Sequence, residues 1–157
     1  MIDRGHGTPI VLIPGLQGRW EWMRPTVDAL ATHHRVITFS LCDERSSPFP
    51  CDPAKAFENY VEQVGLALDR AGVHQAVIAG VSYGGLIASE FAARHPERVS
   101  ALVLASALHR TWHPNEQQER FLRSPWLMSP LFVATAPIRM RPEMVAAFPR
   151  LAERLRF

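Results

Sequence analysis

This sequence contains few lysines and cysteines and lacks long apolar runs. Only one of the 17 Lys and Arg residues is a lysine, Lys55, and the formal net charge is +2. Because the basic residues are scattered, the sequence predicts no nucleic-acid-binding surface. No apolar run is long enough for a membrane span, and Met1–Arg4 does not begin a signal peptide. We therefore expect a cytoplasmic protein with no nucleic-acid or membrane partner.

Cys42 and Cys51 are the only cysteines of the sequence. Neither belongs to a C-x-x-C pair or to a Cys/His cluster with metal-ligand spacing. The sequence therefore predicts no metal site and no cofactor. We expect both cysteines to be free thiols; a disulfide across the intervening loop is the alternative.

The apolar residues are instead spread over short runs that alternate with amphipathic stretches. A chain of 157 residues is long enough for one domain with a sizeable core. Helical spacing predicts helices over 19–32, 54–71 and from about 83 to 95, and Gly72 is placed to end the second. Four apolar runs predict buried strands: 8–13, 35–41, 76–79 and 99–105. The alternation predicts an α/β fold, a mostly parallel doubly wound sheet of about four strands.

The third of these runs leads into the most specific motif of the chain. Residues 80–84 read Gly-Val-Ser-Tyr-Gly, a G-x-S-x-G nucleophile elbow with a strand before it and a helix after it. Such a turn holds its serine in a strained conformation, which leaves no room for a Cβ at Gly80 or Gly84. Ser82 is therefore the candidate nucleophile. The N–H of Tyr83, at the start of the helix, is one candidate oxyanion donor. The alternative is a tight connection without catalytic function.

From about Gly7 to Ala107 the sequence resembles the α/β-hydrolase superfamily. The resemblance rests on the elbow and on Pro14-Gly15-Leu16-Gln17-Gly18, which is similar to the family's H-G-x loop with proline in place of histidine. It implies that the N–H of Leu16 is the second oxyanion donor. Asp43, Ser46 and Ser47 are the part of the next loop that is similar to the family's D-x-x-G-x-G-x-S stretch. Trp20 and Trp22 either line a substrate pocket or pack the first helix on the sheet.

The chain after the fourth strand changes character. Six prolines among short amphipathic pieces predict short helices, and this part resembles the helical cap of the superfamily. We therefore expect a hydrolase core over 1–107 and a cap segment over 108–157. Bulky residues of the segment either roof the pocket or form its own core: Trp112, Trp126, Leu127, Met128 and Phe132. Residues 124–130 also resemble the cap of maspardin-like members, which supports an alternative function as a non-catalytic binding or scaffold protein.

The acid and the histidine of a catalytic triad are not identifiable. The family order is Ser, then Asp or Glu, then His, but the last aspartate is Asp69, before Ser82. His95 is expected at the far end of the elbow helix, and His109 and His113 are not where the family places its base. We therefore expect a fragment of a serine hydrolase that acts on a small ester, thioester, lactone or amide.

An incomplete sheet has a further consequence. We expect the strands over 35–41 and 99–105 to have open edges, through which the chain self-associates. We also expect the chain alone to be inactive.

Overall fold

The structure is a computed structural model that describes residues 1–107, 113–127, 129–130 and 134–135. The chain divides into two compact units, Met1–Leu108 and His109–Phe157. No helix in these ranges is long and apolar enough to cross a membrane.

The first unit contains one mixed sheet of five strands in the order β1-β3-β2-β4-β5. Parallel pairing joins β3, β2, β4 and β5, which confirms the α/β class and the mostly parallel sheet. Each of the four apolar runs contributes one strand. The strands are β1 (Ile2–Arg4), β2 (Pro9–Ile13), β3 (Arg35–Thr38), β4 (Ala76–Val81) and β5 (Val99–Ala105).

The extra strand β1 corrects one of the sequence-based expectations. β1 pairs antiparallel with β3, with Ile2 opposite Thr38 and Arg4 opposite Val36. The edge of the strand predicted over 35–41 is therefore not open. This pairing was missed because β1 is only three residues long and two of them are charged, so it lacks the apolar run that identifies a buried strand.

The helices of this unit are shorter than predicted. A 3₁₀ turn over Trp20–Met23 precedes α1 (Arg24–Leu30), because Pro25 favours the first turn of a helix and not its interior. A second 3₁₀ turn, Pro53–Lys55, ends at Ala56 with φ 45°, so that α2 covers Glu58–Arg70. The elbow helix α3 covers Tyr83–Arg94.

Side chains that alternate along β2 build a core on each face of the sheet. Val11 and Ile13 belong to the cluster beneath α2 and α3, whereas Ile10 and Leu12 belong to the cluster beneath α1. Helices on both faces confirm the doubly wound arrangement. The partly buried Trp20 packs against the cluster beneath α1. This agrees with the interpretation in which Trp20 packs the first helix on the sheet.

The described part of the second unit includes a helix, α4 (Glu116–Arg123). Its N-terminus carries a capping box, in which the side chains of Asn115 and Gln118 each accept a hydrogen bond from the other's backbone N–H. Trp126 and Leu127 are exposed. Trp112, Met128 and Phe132 lie outside the described residues, so the interpretation of these five residues as a pocket roof stays a prediction.

Candidate active site

Ser82 stands between β4 and α3 in a strained backbone conformation. Its φ is 52° and its ψ is −115°, a region that costs a non-glycine residue roughly 1–3 kcal/mol. Two hydrogen bonds hold the turn: Ser82 N–H donates to the carbonyl of Ala105 at 2.9 Å, and Gly85 N–H donates to the carbonyl of Ser82 at 2.9 Å. The strained serine that the motif predicts is thus fixed to the end of β5.

The glycines of the motif are required by close backbone contacts. A Cβ on Gly80 would lie 2.2 Å from the carbonyl oxygen of Gly84. A Cβ on Gly84 would lie 2.5 Å from the carbonyl oxygens of both Ile13 and Pro14. The start of α3 therefore packs directly on the end of β2, and this packing brings the loop after β2 to the elbow.

That loop, Pro14–Gly18, lies beside the candidate nucleophile. A Cβ built on Gly15 would be 3.5 Å from the Cβ of Ser82. The loop is closed by Gly18 N–H, which donates to the carbonyl of Gly15 at 2.9 Å. It is joined to the loop after β3 by Leu41 N–H, which donates to the carbonyl of Gly18. The closing bond does not use the N–H of Leu16, whose side chain is 76% exposed.

Tyr83 is the first residue of α3, so its N–H has no partner within the helix. The positive end of the helix dipole also lies here. An oxygen that gains negative charge beside Ser82 would therefore meet a favourable field. The structure thus brings three sequence-predicted site residues, Ser82, Tyr83 and the loop residue Leu16, to one edge of the sheet.

The side chain of Tyr83 belongs to an aromatic cluster that the sequence did not reveal. Its ring makes edge contacts with Phe57 and Tyr60, at centroid distances of 6.0 and 5.9 Å. Burial and the nearby charge of Asp43 raise the pKa of Tyr83. Burial is also the main cause of the raised pKa of Tyr60, followed by the charge of Asp43 and by the hydrogen bond that Tyr60 donates to it.

Asp43 thus brings a carboxylate close to the residue that follows the candidate nucleophile. In the sequence, Asp43 was indicated only by its partial match to the family's loop motif. Tyr60 carries no motif, and its partnership with Asp43 depends on how α2 packs, which spacing along the sequence does not show.

Within the first unit, the histidine that follows Ser82 in the sequence, His95, is not brought to it. His95 follows the C-terminus of the 12-residue α3, about 20 Å along the helix from Ser82 at 1.5 Å per residue. His113 is exposed in the second unit, and His109 lies outside the described residues. In the described part of the chain, no group of three or more His, Cys, Asp or Glu side chains could hold a metal ion.

The sheet order and the strained serine between β4 and α3 define an α/β protein with a tight strand–turn–helix at its candidate site. The chain belongs to the α/β hydrolase fold family, whose model matches residues 8–149. This confirms the resemblance that the elbow and the Pro14–Gly18 loop indicated.

Curated relatives of this chain are hydrolases. It is 36% identical over 106 residues to 2-hydroxymuconate semialdehyde hydrolase of Pseudomonas sp. (strain CF600), a match that covers 65% of this chain and 37% of the relative. It is 33% identical over 101 residues to poly(3-hydroxyalkanoate) depolymerase of Ectopseudomonas oleovorans, covering 64% of this chain and 35% of the relative. The chain therefore spans little more than a third of the length of these two relatives.

A solved structure supports the fold independently. The epoxide hydrolase of Bacillus megaterium superposes with a TM-score of 0.66 at 20% identity, covering 80% of this chain and 46% of the other. At this identity the likeness concerns the fold alone.

Proposed function

We propose that this protein is a serine hydrolase that forms an acyl-enzyme on Ser82. The observation that carries the proposal is the backbone of Ser82 at φ 52°, directly before the first N–H of α3 and beside the Pro14–Gly18 loop. A strained serine between a strand and a helix N-terminus is the arrangement in which α/β-hydrolases hold the nucleophile for acyl transfer.

In this mechanism the Oγ of Ser82 attacks the carbonyl carbon of the substrate. The carbonyl oxygen becomes negative and accepts hydrogen bonds from the N–H groups of Leu16 and Tyr83. Collapse of this intermediate releases the alcohol, thiol or amine, and water then cleaves the acyl-enzyme. Loss of one oxyanion donor costs such enzymes about 10²–10³ in kcat. The acid and base that activate Ser82 are not assigned to residues of this chain.

The proposed substrates are small esters, thioesters, lactones or amides. The relatives are named for different substrates, a semialdehyde in one case and a polyester in the other. Their names therefore support hydrolysis as the class of reaction and favour no single substrate. The cytoplasmic location and the absence of nucleic-acid and membrane partners stay predictions from the sequence.

A fluorophosphonate probe tests the nucleophile directly. The protein expressed from its full gene should be labelled, and mass spectrometry should find the label on Ser82. Ser82→Ala should abolish labelling. Ser89→Ala is the matched control, because Ser89 lies on the same helix but its hydroxyl donates to the carbonyl of Gly85 at 2.8 Å.

The control variant should be labelled at the wild-type rate. The 157-residue chain by itself should hydrolyse short p-nitrophenyl esters at no more than a trace rate. Labelling of a different serine, or none in a folded protein, would contradict the proposal and favour a non-catalytic binding or scaffold protein.

A further inference from the structure

The loop between β3 and the 3₁₀ turn Pro53–Lys55 is tethered to α2 at both ends. At one end, Gln63 Nε2 donates to the carbonyl of Ser40 at 2.8 Å. At the other, Asn59 Oδ1 accepts from Asp52 N–H at 2.8 Å, and Asn59 Nδ2 donates to the carbonyl of Asp52 at 2.6 Å. Asn59 and Gln63 are one helical turn apart, so their Cβ atoms are about 5–6 Å from each other. The two ends of the loop are therefore held close together.

Cys42 and Cys51 lie just inside these tethers. Both are free thiols, and Cys51 lies close enough to Cys42 to raise the pKa of its thiol. Cys42 is buried in the core cluster beneath α2 and α3, whereas Cys51 is exposed. Because the tethers at Ser40 and Asp52 hold the ends of the loop together, two neighbouring thiols just inside them need little backbone movement to reach disulfide geometry.

The two sulfur atoms differ in their access to solvent and to reagents. Burial, followed by the neighbouring Cys51 thiol, raises the pKa of the Cys42 thiol to about 12. Cys42 therefore stays protonated at neutral pH. A soluble oxidant meets the exposed sulfur of Cys51 first.

We propose that Cys42 and Cys51 are a redox-sensitive pair that hydrogen peroxide converts into an intramolecular disulfide. The Cys51 thiolate attacks one oxygen of the peroxide, breaks the O–O bond and becomes a sulfenic acid while hydroxide leaves. The sulfur of Cys42 then attacks the sulfur of Cys51. The S–O bond breaks, and the departing oxygen takes up the Cys42 proton and leaves as water. In total, two thiols and one peroxide give one disulfide and two waters.

The pair lies at the edge of the candidate active site. Asp43, which contacts Tyr60 and influences Tyr83, follows Cys42 directly in the chain. Oxidation would thus occur beside the elbow, but the proposal does not depend on catalysis by Ser82. Its test measures the thiols themselves.

Tryptic mapping without reduction tests the proposal on the intact protein. Cleavage after Arg35, Arg45 and Lys55 places Cys42 in the peptide 36–45 and Cys51 in the peptide 46–55. After peroxide treatment and alkylation, the two peptides should appear linked, with a mass two hydrogen atoms below their sum. Dithiothreitol should separate them, and reduction of the intact protein should restore both thiols.

Two single substitutions are the controls. Cys42→Ser should remove the linked peptides and leave Cys51 to accumulate sulfinic acid. Cys51→Ser should leave Cys42 as a thiol that peroxide does not modify in the folded protein. Sulfinic acid at Cys51 in the wild type, with Cys42 still free, would overturn the proposal. Disulfides between two chains in place of the internal one would overturn it as well.

Discussion

Replacing Gly80 by alanine puts a single methyl group into the most crowded position of the elbow. The new Cβ would lie 2.2 Å from the carbonyl oxygen of Gly84, 2.5 Å from its carbonyl carbon and 2.6 Å from the Cα of Gly85. All three neighbours are backbone atoms. No rotation of a side chain can relieve these contacts, so the start of α3 must move away from β4.

The cost of this movement follows from the general cost of overpacking. Added methyl groups in well-packed sites destabilise by about 1–3 kcal/mol, occasionally more. Three backbone contacts place Gly80→Ala at the upper end, so we expect the free energy of unfolding to fall by about 3 kcal/mol. For a chain of this size the melting temperature should fall by roughly 6–12 °C.

Gly65→Ala is the matched control for the same chemical change. Gly65 lies inside α2, and a Cβ there would have ordinary contact, 3.7 Å, with Cε2 of Phe91. Alanine in a helix interior is favoured over glycine by about 0.5–1 kcal/mol. This variant should therefore melt slightly above the wild type.

Urea and thermal unfolding followed by circular dichroism would measure both variants. The decisive quantity is the difference between them, about 4 kcal/mol, because it cancels effects common to every Gly→Ala change. If Gly80→Ala unfolds within about 0.5 kcal/mol of the wild type, the backbone does not approach as closely as described, and the elbow interpretation of residues 80–84 is wrong.

Two further predictions concern association and pH. We propose that the chain self-associates through β5, a strand of seven residues without charge or proline whose Leu102, Val103 and Leu104 are 41–49% exposed. Sedimentation velocity should detect dimers or larger species, and Val103→Lys should reduce their amount. A wild-type monomer at every concentration would contradict this prediction. Between about pH 9 and pH 12 the free energy of unfolding should fall as pH rises, because the folded chain keeps the Cys42 proton that the unfolded chain loses. Alkaline urea titrations of Cys42→Ser should show a shallower fall, and an unchanged slope would remove Cys42 as a cause.

The parts of the fold that the sequence predicted are those with local signals. The strand β5 was predicted with its observed bounds, because seven weakly polar or apolar residues lie between a proline-containing turn and the next loop. Gly72 was correctly placed to end α2, and its φ of 64° shows why glycine is needed there. The strand β1 was missed because its stability comes from pairing with β3, a contact more than 30 residues away in sequence.

The candidate site divides in the same way. The G-x-S-x-G pattern is a local motif, so spacing alone was enough to propose Ser82 and Tyr83 as candidates. Asp43 and Tyr60 meet only because α2 packs beside the loop after β3, and the tethers that fix this loop, Asn59 and Gln63, look like ordinary polar residues of a helix. Long-range hydrogen bonds of this kind leave no period or motif in a sequence.

The contacts that hold Ser82 also separate two reasons for which the chain could be inactive. Its turn is fixed by Ala105 of β5 and by the end of β2, both within the first 107 residues. The elbow can therefore form without the base that would activate the serine. If Gly80→Ala destabilises as calculated while the 157-residue chain shows only trace hydrolysis, the elbow is intact and activation is what is missing. If Gly80→Ala does not destabilise and hydrolysis is still only a trace, the turn itself is not formed, and the low rate says nothing about the reactivity of Ser82.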